Sequence, residues 1–329
     1  MAGKFIISLD YELHWGFFDI IPLEHCEEKL DNVDRVIDQL LELSKAHGVK
    51  LTFATIGFLF ANNKSDALNY IPKEKPNYTD RSLNAYELFD TIDQKTSKYY
   101  FANQNVKKIA EEGNHEIGTH TFSHYSCSER GQTPENFRHD LNAAIDIAKT
   151  NADVVTNSIV FPRNQVKPDY VAICEELGIK TYRGGSWFNF NCTHKKLNII
   201  DLGKISIRVL DSYFNISGSN SINLKKYNNK PSKIINVPAS RFLRPYCKAF
   251  SFLESLKVNR IKKSMTKAAK KGEVYHLWFH PHNFGKNLVE NFKNLEQIYN
   301  HYSYLNKAYG FEASTMIDAA EDFKNPIVI

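Results

Sequence analysis

The sequence predicts an α/β fold in which parallel strands alternate with helices and close, or nearly close, into one barrel. Short apolar runs recur along the chain, a segment with helical periodicity follows most of them, and glycine ends several of these segments. Strands that alternate with helices form parallel sheets. About six to eight such units fit into 329 residues, which is a suitable length for a single barrel.

The first predicted strand spans 5–9, an apolar run typical of a strand that is covered on both faces. A helix over 31–47 follows, with apolar residues at helical spacing and Gly48 as its stop. Later strands are predicted at 49–55, 116–119, 158–161, 179–182 and 274–279. Later helices are predicted at 107–112, 134–150, 168–177, 255–271 and 288–309.

Two polar stretches interrupt this alternation. The segment 62–103 is rich in Asn, Lys, Asp and Tyr, and the segment 189–244 is rich in Asn, Ser and Tyr. Within the second segment, alternating residues at 205–209 indicate a short strand. We therefore expect one catalytic domain over 1–329 with insertions at about 62–103 and 189–244.

The composition excludes several classes of protein. A formal charge of +5 is weak for a nucleic-acid-binding protein, so no nucleic-acid partner is expected. The five cysteines form no CxxC pair, which suits reduced thiols in the cytosol. The first apolar run is short and ends in acidic residues, so it is neither a signal peptide nor a membrane span. No other stretch is long enough to span a bilayer, and we expect a cytoplasmic protein.

Four apolar runs end in chemically active residues. They end in Asp10-Tyr11-Glu12, in the HTFSH motif at 120–124, in Arg163-Asn164-Gln165 and in His280-Pro281-His282. The carboxyl ends of all strands in a parallel barrel open on one face, where active sites lie. We therefore expect these four segments to converge there although they are far apart in the chain.

The histidine and carboxylate spacings are compatible with a metal site. On a helical turn, His120 and His124 would place both imidazoles on one face, although two ordinary loop histidines would show the same spacing. Asp10 and Glu12 would point to one side of an extended strand, roughly 6–7 Å apart. One carboxylate could then bind a metal while the other activates water. His120, His124 and one carboxylate would supply the three protein ligands of a catalytic metal site.

A third histidine is a candidate general acid. His280 ends the strand at 274–279 and could protonate a leaving nitrogen on the side opposite the base, or it could simply be packed. His282 is a weaker candidate for the same role. His276 lies inside that strand, and we interpret it as a hydrogen-bonded core histidine.

Together, these residues resemble the polysaccharide deacetylase family, which is also called the NodB-homology or carbohydrate esterase family 4 domain. The HTFSH motif matches the family's second motif in full, with both histidines as metal ligands. Asp10 matches the catalytic base of the first motif. The aspartate that normally follows it is replaced by Tyr11, and Glu12 fits the variant of allantoinase-like members, in which the metal carboxylate lies two residues after the base.

The resemblance also implies roles for residues later in the chain. Arg163 is the candidate for the arginine that orients the base, in a segment only similar to the family's third motif. His280 matches the acid of the fifth motif. Trp187 is equally compatible with an aromatic wall for a sugar ring and with a place in the core.

The resemblance implies a distorted barrel of about seven strands, the (β/α)7 type, that removes N-acetyl groups from amino sugars. One divalent metal ion would be required, with zinc as the default, although cobalt, nickel or manganese would accept similar ligands. A precursor of a surface polysaccharide or lipopolysaccharide is the expected substrate. The absence of a signal peptide favours a cytosolic version of the family.

Other interpretations stay open at this point. A small cyclic amide or imide could be the substrate, as in allantoinase-like relatives. The pair Asp10 and Glu12 could serve a glycosidase, which would not need the HTFSH motif. A degenerate barrel could bind carbohydrate without hydrolysing it. Finally, the basic helix at 255–271 is most simply a solvated helix face, although it could bind an anionic partner.

Overall fold

The fold is a parallel sheet surrounded by helices, as given by a computed structural model that describes residues 2–185, 199–229 and 232–325. The strands in these ranges are β1 (Lys4–Tyr11), β2 (Leu51–Thr55), β3 (Glu116–Thr119), β4 (Ser158–Ile159), β5 (Thr181–Tyr182), β6 (Ile235–Asn236), β7 (Arg241–Phe242), β8 (Val274–Phe279) and β9 (Glu312–Ser314). The α-helices are α1 (Glu27–Asp31), α2 (Val33–His47), α3 (Lys64–Leu68), α4 (Ala85–Thr91), α5 (Asn103–Glu111), α6 (Pro134–Ala152), α7 (Pro168–Glu176), α8 (Ile199–Tyr213), α9 (Leu224–Tyr227), α10 (Glu254–Lys271), α11 (Leu288–Tyr309) and α12 (Met316–Lys324).

The sheet confirms the predicted α/β class. Its strands are hydrogen-bonded in the order β6-β5-β4-β3-β2-β1-β8-β7, and β9 also pairs with β1. Every one of these strand pairs is parallel. Because helices connect most successive strands, the architecture is that of a distorted (β/α)7 barrel.

The two edge strands of the sheet come together through a short backbone segment. β6 and β7 are separated by 237–240. On one side of this segment, the N–H groups of Val237 and Ala239 donate to carbonyls of Tyr182 and Gly184 beside β5. On the other side, the N–H of Ser240 donates to the carbonyl of His276 in β8. The sheet therefore curls until one continuous segment bridges its two ends.

β1 lies at the centre of this curled sheet and is buried along its whole length. β8 pairs with Lys4 to Leu9 along one edge. The other edge is shared, because β9 pairs with Lys4 to Ile6 and β2 pairs with Ile7 to Tyr11. The strand has neighbours on both edges and packing on both faces, as its near-continuous apolar sequence predicts.

The region of the predicted second insertion differs from expectation. The strand predicted at 205–209 is wrong, because these residues lie inside α8. Period-two alternation over five residues is a weak signal, and α8 instead uses a helical face with Arg208, Asp211 and Ser212 at spacings of three and four residues. β6 and β7 also lie within 189–244, although they belong to the sheet itself.

The region of the predicted first insertion contains α3 and α4. Tyr86 and Phe89 of α4 are buried in the same hydrophobic cluster as β1 and β2. Four of the five cysteines, Cys26, Cys127, Cys174 and Cys247, are free thiols, and Cys192 lies outside the described residues. In the described part of the chain, every helix is too short or too polar to cross a bilayer.

Candidate functional site

The carboxyl end of β1 carries two buried carboxyl groups that face the barrel interior. The first, Asp10, is bound by the guanidinium of Arg183 through both oxygens, at 2.6 Å from Nη1 and 2.8 Å from Nη2. Arg183 is completely buried and also donates to Ser8 Oγ at 2.9 Å. Burial alone would raise the pKa of Asp10, but the charge and hydrogen bonds of Arg183, together with the charges of His120 and His280, outweigh burial and hold this pKa below its usual range.

This contact corrects the expectation for Arg163. Nη2 of Arg163 donates to Asp19 Oδ1 at 2.7 Å, and the arginine that binds Asp10 is Arg183. Arg163 lies in a short 3₁₀ turn with a positive φ of 56°, and its neighbour Asn164 accepts a bond from Arg183 at 3.2 Å. Arg183 directly follows β5, so the same strand-end argument that selected Asp10 applies to it.

The second carboxyl group, Glu12, faces the HTFSH histidines. Its Oε2 lies 3.3 Å from Nε2 of His120 and 3.5 Å from Nε2 of His124. All three side chains are at most 5% exposed. The structure therefore brings together the three predicted ligands, which are contributed by β1 and by the loop after β3.

A hydrogen bond to Nδ1 of His120 determines that its other ring nitrogen, Nε2, directs a lone pair towards Glu12. Nδ1 of His120 lies 2.7 Å from the carbonyl oxygen of Val160 and must carry the proton in that contact. A neutral His120 therefore directs the Nε2 lone pair towards the Glu12 oxygen. Burial, followed by the charges of His120 and Arg163, lowers the pKa of His124 well below its usual range, which favours its neutral, ligating form.

The HTFSH segment is a loop, contrary to the expected helical turn. Thr121 and His124 have positive φ values of 65° and 57°, in a region that non-glycine residues rarely occupy. Asp140 of α6 holds this loop by accepting from the Phe122 N–H at 2.7 Å and from both the N–H and the hydroxyl of Ser123. Backbone strain at a site is kept only where surrounding contacts fix it.

His280 closes the opposite side of the site at the end of β8. Its Nε2 lies 3.4 Å from Glu12 Oε1 and 3.8 Å from Asp10 Oδ2. The side-chain amide of Asn283 lies 3.2 Å from Nδ1 of His280. If the amide N–H donates to Nδ1, a neutral His280 carries its proton on Nε2, facing the two carboxyl groups.

The donor atoms of Glu12, His120 and His124 fit a divalent cation. They lie within 4.8 Å of one another. A tetrahedral zinc site with bonds of ~2.1 Å has ligand-to-ligand edges of ~3.4 Å, and the two distances from Glu12 are 3.3 and 3.5 Å. Lone pairs this close in a buried site repel each other, and either a shared proton or a bound cation relieves that repulsion.

Gly16 provides the space for the Glu12 carboxyl group. It ends the 3₁₀ turn Leu13–Gly16 that follows β1. A Cβ at this position would lie 2.0 Å from the carboxyl carbon of Glu12. Any side chain at position 16 would therefore displace Glu12 from the two histidines.

Residues 17–182 match the profile of a known protein family. The sequence profile of the family described as Polysaccharide deacetylase matches this range, which is half of the chain. The chain belongs to the polysaccharide deacetylase family. The matched range includes His120 and His124, whereas Asp10, Glu12 and His280 lie outside it. No curated protein matches the full sequence.

Solved structures share the polysaccharide deacetylase fold with this chain. A Mycobacterium smegmatis structure named as a polysaccharide deacetylase has a TM-score of 0.63 at 12% identity, covering 99% of this chain and 92% of its own. A Pseudomonas aeruginosa PAO1 structure with the same family name has a TM-score of 0.55 at 12% identity, with coverages of 99% and 92%. The Puue allantoinase has a TM-score of 0.54 at 12% identity, with coverages of 99% and 91%.

The remaining predicted residues of this family member occupy different positions. His276 is hydrogen-bonded as expected for a core residue, with Nε2 2.8 Å from Ser8 Oγ and Nδ1 3.1 Å from the Pro238 carbonyl. His282 is buried, and its ring centroid is 5.2 Å from that of His280. Trp187 lies outside the described residues.

Proposed function

We propose that this polysaccharide deacetylase family member is a metal-dependent hydrolase that removes an N-acetyl group from an amino sugar. The observation that carries the proposal is the arrangement of Glu12, His120 and His124, whose donor atoms have the spacing of a tetrahedral site. Asp10 and His280 flank these ligands as candidate base and acid. Zinc is the proposed metal, because two imidazoles and one carboxylate are a common donor set for catalytic zinc.

Glu12, His120 and His124 would hold the metal. A divalent cation in this place supplies a Lewis acid that polarises the amide carbonyl and makes water a stronger nucleophile at neutral pH. The protein contributes the orientation of the ligands. Val160 fixes the ring of His120, and Asp140 fixes the loop that carries both histidines.

Asp10 acts as the general base in this proposal. Its oxygens accept two bonds from Arg183, and each carboxylate oxygen has a further lone pair for a proton from the attacking water. Arg183 is a positioning residue, because it touches Asp10 and not the reacting atoms. Keeping Asp10 ionised makes it available as a base over a wide pH range.

His280 acts as the general acid on the opposite side. Nε2 of His280 would donate its proton to the amine nitrogen as the C–N bond breaks. Its Nε2 lies 3.4 and 3.8 Å from the two carboxyl groups, so it faces the place where the amide would bind. The products are acetate and a sugar with a free amine.

A sugar substrate is supported by the aromatic surface beside His280. The rings of Trp278 and Phe242 have centroids 5.5 and 5.7 Å from the ring of His280, and both side chains are partly exposed. Partly exposed aromatic faces are suited to the apolar face of a sugar ring. We propose that the product serves the biosynthesis of a surface polysaccharide or lipopolysaccharide.

Metal analysis of purified variants, paired with an acetate-release assay, tests this proposal. We expect His120→Ala and His124→Ala to lose stoichiometric metal and activity. Asp10→Asn should retain metal, whereas its turnover falls by roughly 10²–10⁴-fold as expected for a lost general base. His139→Ala, which removes a partly exposed histidine of α6, is the matched control and should retain both.

The same experiment distinguishes the alternatives. Release of product from a cyclic amide but not from N-acetylhexosamines would reassign the substrate. Metal-free wild-type protein that stays active would contradict the metal-dependent mechanism. An emptied metal site in Asp10→Asn would exchange the roles of Asp10 and Glu12.

A further inference from the structure

Exposed hydrophobic side chains are concentrated on α8, on α10 and on the segments that flank these helices. Of the fourteen large hydrophobic side chains that are exposed in the described part of the chain, seven belong to this region. We call them the apolar surface, and they are Ile207, Leu210, Phe214, Ile216, Phe250, Phe252 and Leu256. Single exposed hydrophobic residues are ordinary, whereas a concentration of them marks a contact with a partner.

The helices bring these side chains together. Ile207, Leu210 and Phe214 are separated by three and four residues, so they share one face of α8. Phe214 and Leu256 line the same open depression between α8 and α10. The hydrophobic side chains of the two helices therefore form one continuous region.

The 3₁₀ segment Lys248–Leu253, which precedes α10, extends the same region. The ring centroid of Phe250 lies 6.1 Å from that of Tyr213, at the end of α8. Phe252, two residues further along, is 75% exposed. The two phenylalanines are therefore the most prominent hydrophobic groups at this end of the apolar surface.

The orientation of α8 is the reverse of an ordinary surface helix, which buries its apolar face. Its polar residues Asp211 and Ser212 are buried, and Asp211 is bound by Arg241 and Arg260. The face that carries Ile207, Leu210 and Phe214 is exposed instead. The barrel thus holds α8 through a polar face, and the apolar face is left for a partner.

The stretch that carries the apolar surface is strongly basic. Between Ile199 and Lys271 the sequence contains sixteen Lys and Arg residues and three Asp and Glu residues. This stretch therefore has a formal charge of +13, whereas the whole chain has a formal charge of +5. The positive charge of the protein is concentrated where its exposed hydrophobic side chains are.

Three exposed lysines lie beside the hydrophobic side chains. Lys263 and Lys267 line the depression between α8 and α10, and Lys248 begins the 3₁₀ segment. Among the described residues, none of the three has an acidic side chain within ion-pair distance. The described acidic side chains of the stretch, Asp211 and Glu254, are buried and bound by arginine or lysine. The lysine charges are therefore available to an anionic partner.

The combination of hydrophobic and basic side chains favours a lipid surface over other partners. Aliphatic groups such as Ile207 and Leu210 offer no ring on which a nucleic-acid base could stack. A symmetric dimer would bring two surfaces of the same positive charge together. At an anionic bilayer, hydrophobic side chains enter the boundary between head groups and acyl chains, and lysines bind the head groups.

We propose that the apolar surface and its lysines dock this protein on a membrane that contains anionic lipids. Phe250 and Phe252 enter the interface, and the exposed face of α8 lies along it. The opposite face of α8 lines a cavity with Trp278, whose ring lies 5.5 Å from that of His280. Docking would therefore hold the candidate active site one helix away from the lipid, although it does not depend on the proposed hydrolysis.

Sedimentation with vesicles tests the electrostatic part of the contact. The whole chain should bind vesicles of equal parts phosphatidylcholine and phosphatidylglycerol, bind pure phosphatidylcholine much less, and dissociate as salt is added. Lys263→Gln combined with Lys267→Gln should weaken the partitioning roughly 10- to 30-fold. Lys73→Gln combined with Lys107→Gln removes two exposed lysines from other parts of the surface and should bind like wild type.

The same assay tests the hydrophobic part. Phe252→Ser and Phe250→Ser should each weaken the partitioning roughly tenfold, because each removes one ring from the interface. Val155→Ser removes a hydrophobic side chain that is 66% exposed before β4, and it should bind like wild type. Circular dichroism establishes that each variant is folded, and two phenylalanines keep the test valid if one variant is not.

The possible outcomes separate this proposal from its alternatives. Wild type that fails to bind the mixed vesicles at low salt would overturn membrane docking, and so would equal binding by wild type, both phenylalanine variants and the lysine variant. Retention of a single-stranded RNA oligomer without vesicle binding would reassign the surface to nucleic acid. A dimer in sedimentation velocity that is lost in Phe252→Ser, again without vesicle binding, would make it an interface between two copies.

Acetate release from a soluble N-acetylhexosamine is measured in parallel. The surface variants should keep the wild-type rate, because none of their changes touches Asp10, Glu12 or the histidines of the candidate site. Vesicle binding without acetate release would retain the docking surface and contradict the deacetylase proposal. Acetate release without vesicle binding would do the opposite.

Discussion

Asp10 and Asp211 are both buried carboxylates that bind arginine, but their surroundings carry opposite excess charge. Asp10 has one guanidinium, from Arg183, and Glu12 adds a second carboxyl group beside it. Asp211 is shared by two arginines. Acidic groups are in excess over guanidinium groups around Asp10, and guanidinium groups are in excess around Asp211. Asp10 therefore depends on a single guanidinium, whereas Asp211 has two.

Among the changes that test this comparison, removing Arg183 should have the largest effect on stability. Arg183→Met leaves Asp10 buried with no arginine partner, so the free energy of unfolding should fall by roughly 3–5 kcal/mol. Urea denaturation measures this change. Arg138→Met removes a partly exposed arginine that pairs with Glu176, and it should change stability by less than ~1 kcal/mol. Equal stabilities for the two variants would show that the Asp10 pair contributes little.

Removing Arg241 should have a smaller effect, because Asp211 keeps Arg260 and Ser217 as partners. We expect Arg241→Met to lower the free energy of unfolding by roughly 1.5–3 kcal/mol. A loss as large as that of Arg183→Met would contradict the view that Asp211 has partners to spare.

The pH dependence of the Arg241→Met variant sharpens this prediction. Burial alone would raise the pKa of Asp211, but the Ser217 N–H and Arg241 more than offset it and lower this pKa. The stabilisation is therefore present above the unfolded pKa of ~3.9 and is lost as the pH falls through the folded pKa. Without Arg241 the folded pKa rises, so acid destabilisation should begin at a higher pH. Denaturation at a series of acidic pH values checks this shift.

The smallest predicted effect concerns the affinity of Glu12, His120 and His124 for a metal ion. In Gly16→Ala, the new Cβ displaces Glu12, and metal affinity should fall roughly 10- to 100-fold, as for residues that orient metal ligands. Competition with a chelating dye measures the affinity. Gly203→Ala is the control, because a Cβ at that position has no atom within 4 Å. Indistinguishable metal affinities for the two variants would remove Gly16 from the site.

Strand ends explain which parts of the site the sequence could predict. Asp10, Glu12 and His280 follow long apolar runs, and parallel strands bring such ends together whatever the loops do. The strands 116–119 and 274–279 and the helix 288–309 were predicted with the bounds they have in the structure. These elements have strong local patterns, and their neighbours in the fold reinforce them.

Contacts between distant segments of the chain could not be predicted from the sequence in the same way. The arginine of Asp10 was assigned to Arg163 from a motif, whereas Arg183 follows a strand of two residues and gives a weak local signal. The HTFSH spacing suggested a helical turn, yet the loop is fixed by Asp140, which lies on the next helix. Such tertiary hydrogen bonds override local spacing and leave no periodic pattern in the sequence.

The position of β1 has a consequence for how the protein opens. β8 covers one edge of this strand, while β9 and β2 divide the other edge between them. Its amide hydrogens should therefore exchange with deuterium only when the whole domain unfolds, more slowly than those of α9 or α3. Asp10 and Glu12 would then keep their mutual geometry through every partial opening, so that fraying elsewhere alters access to the site and not its assembly.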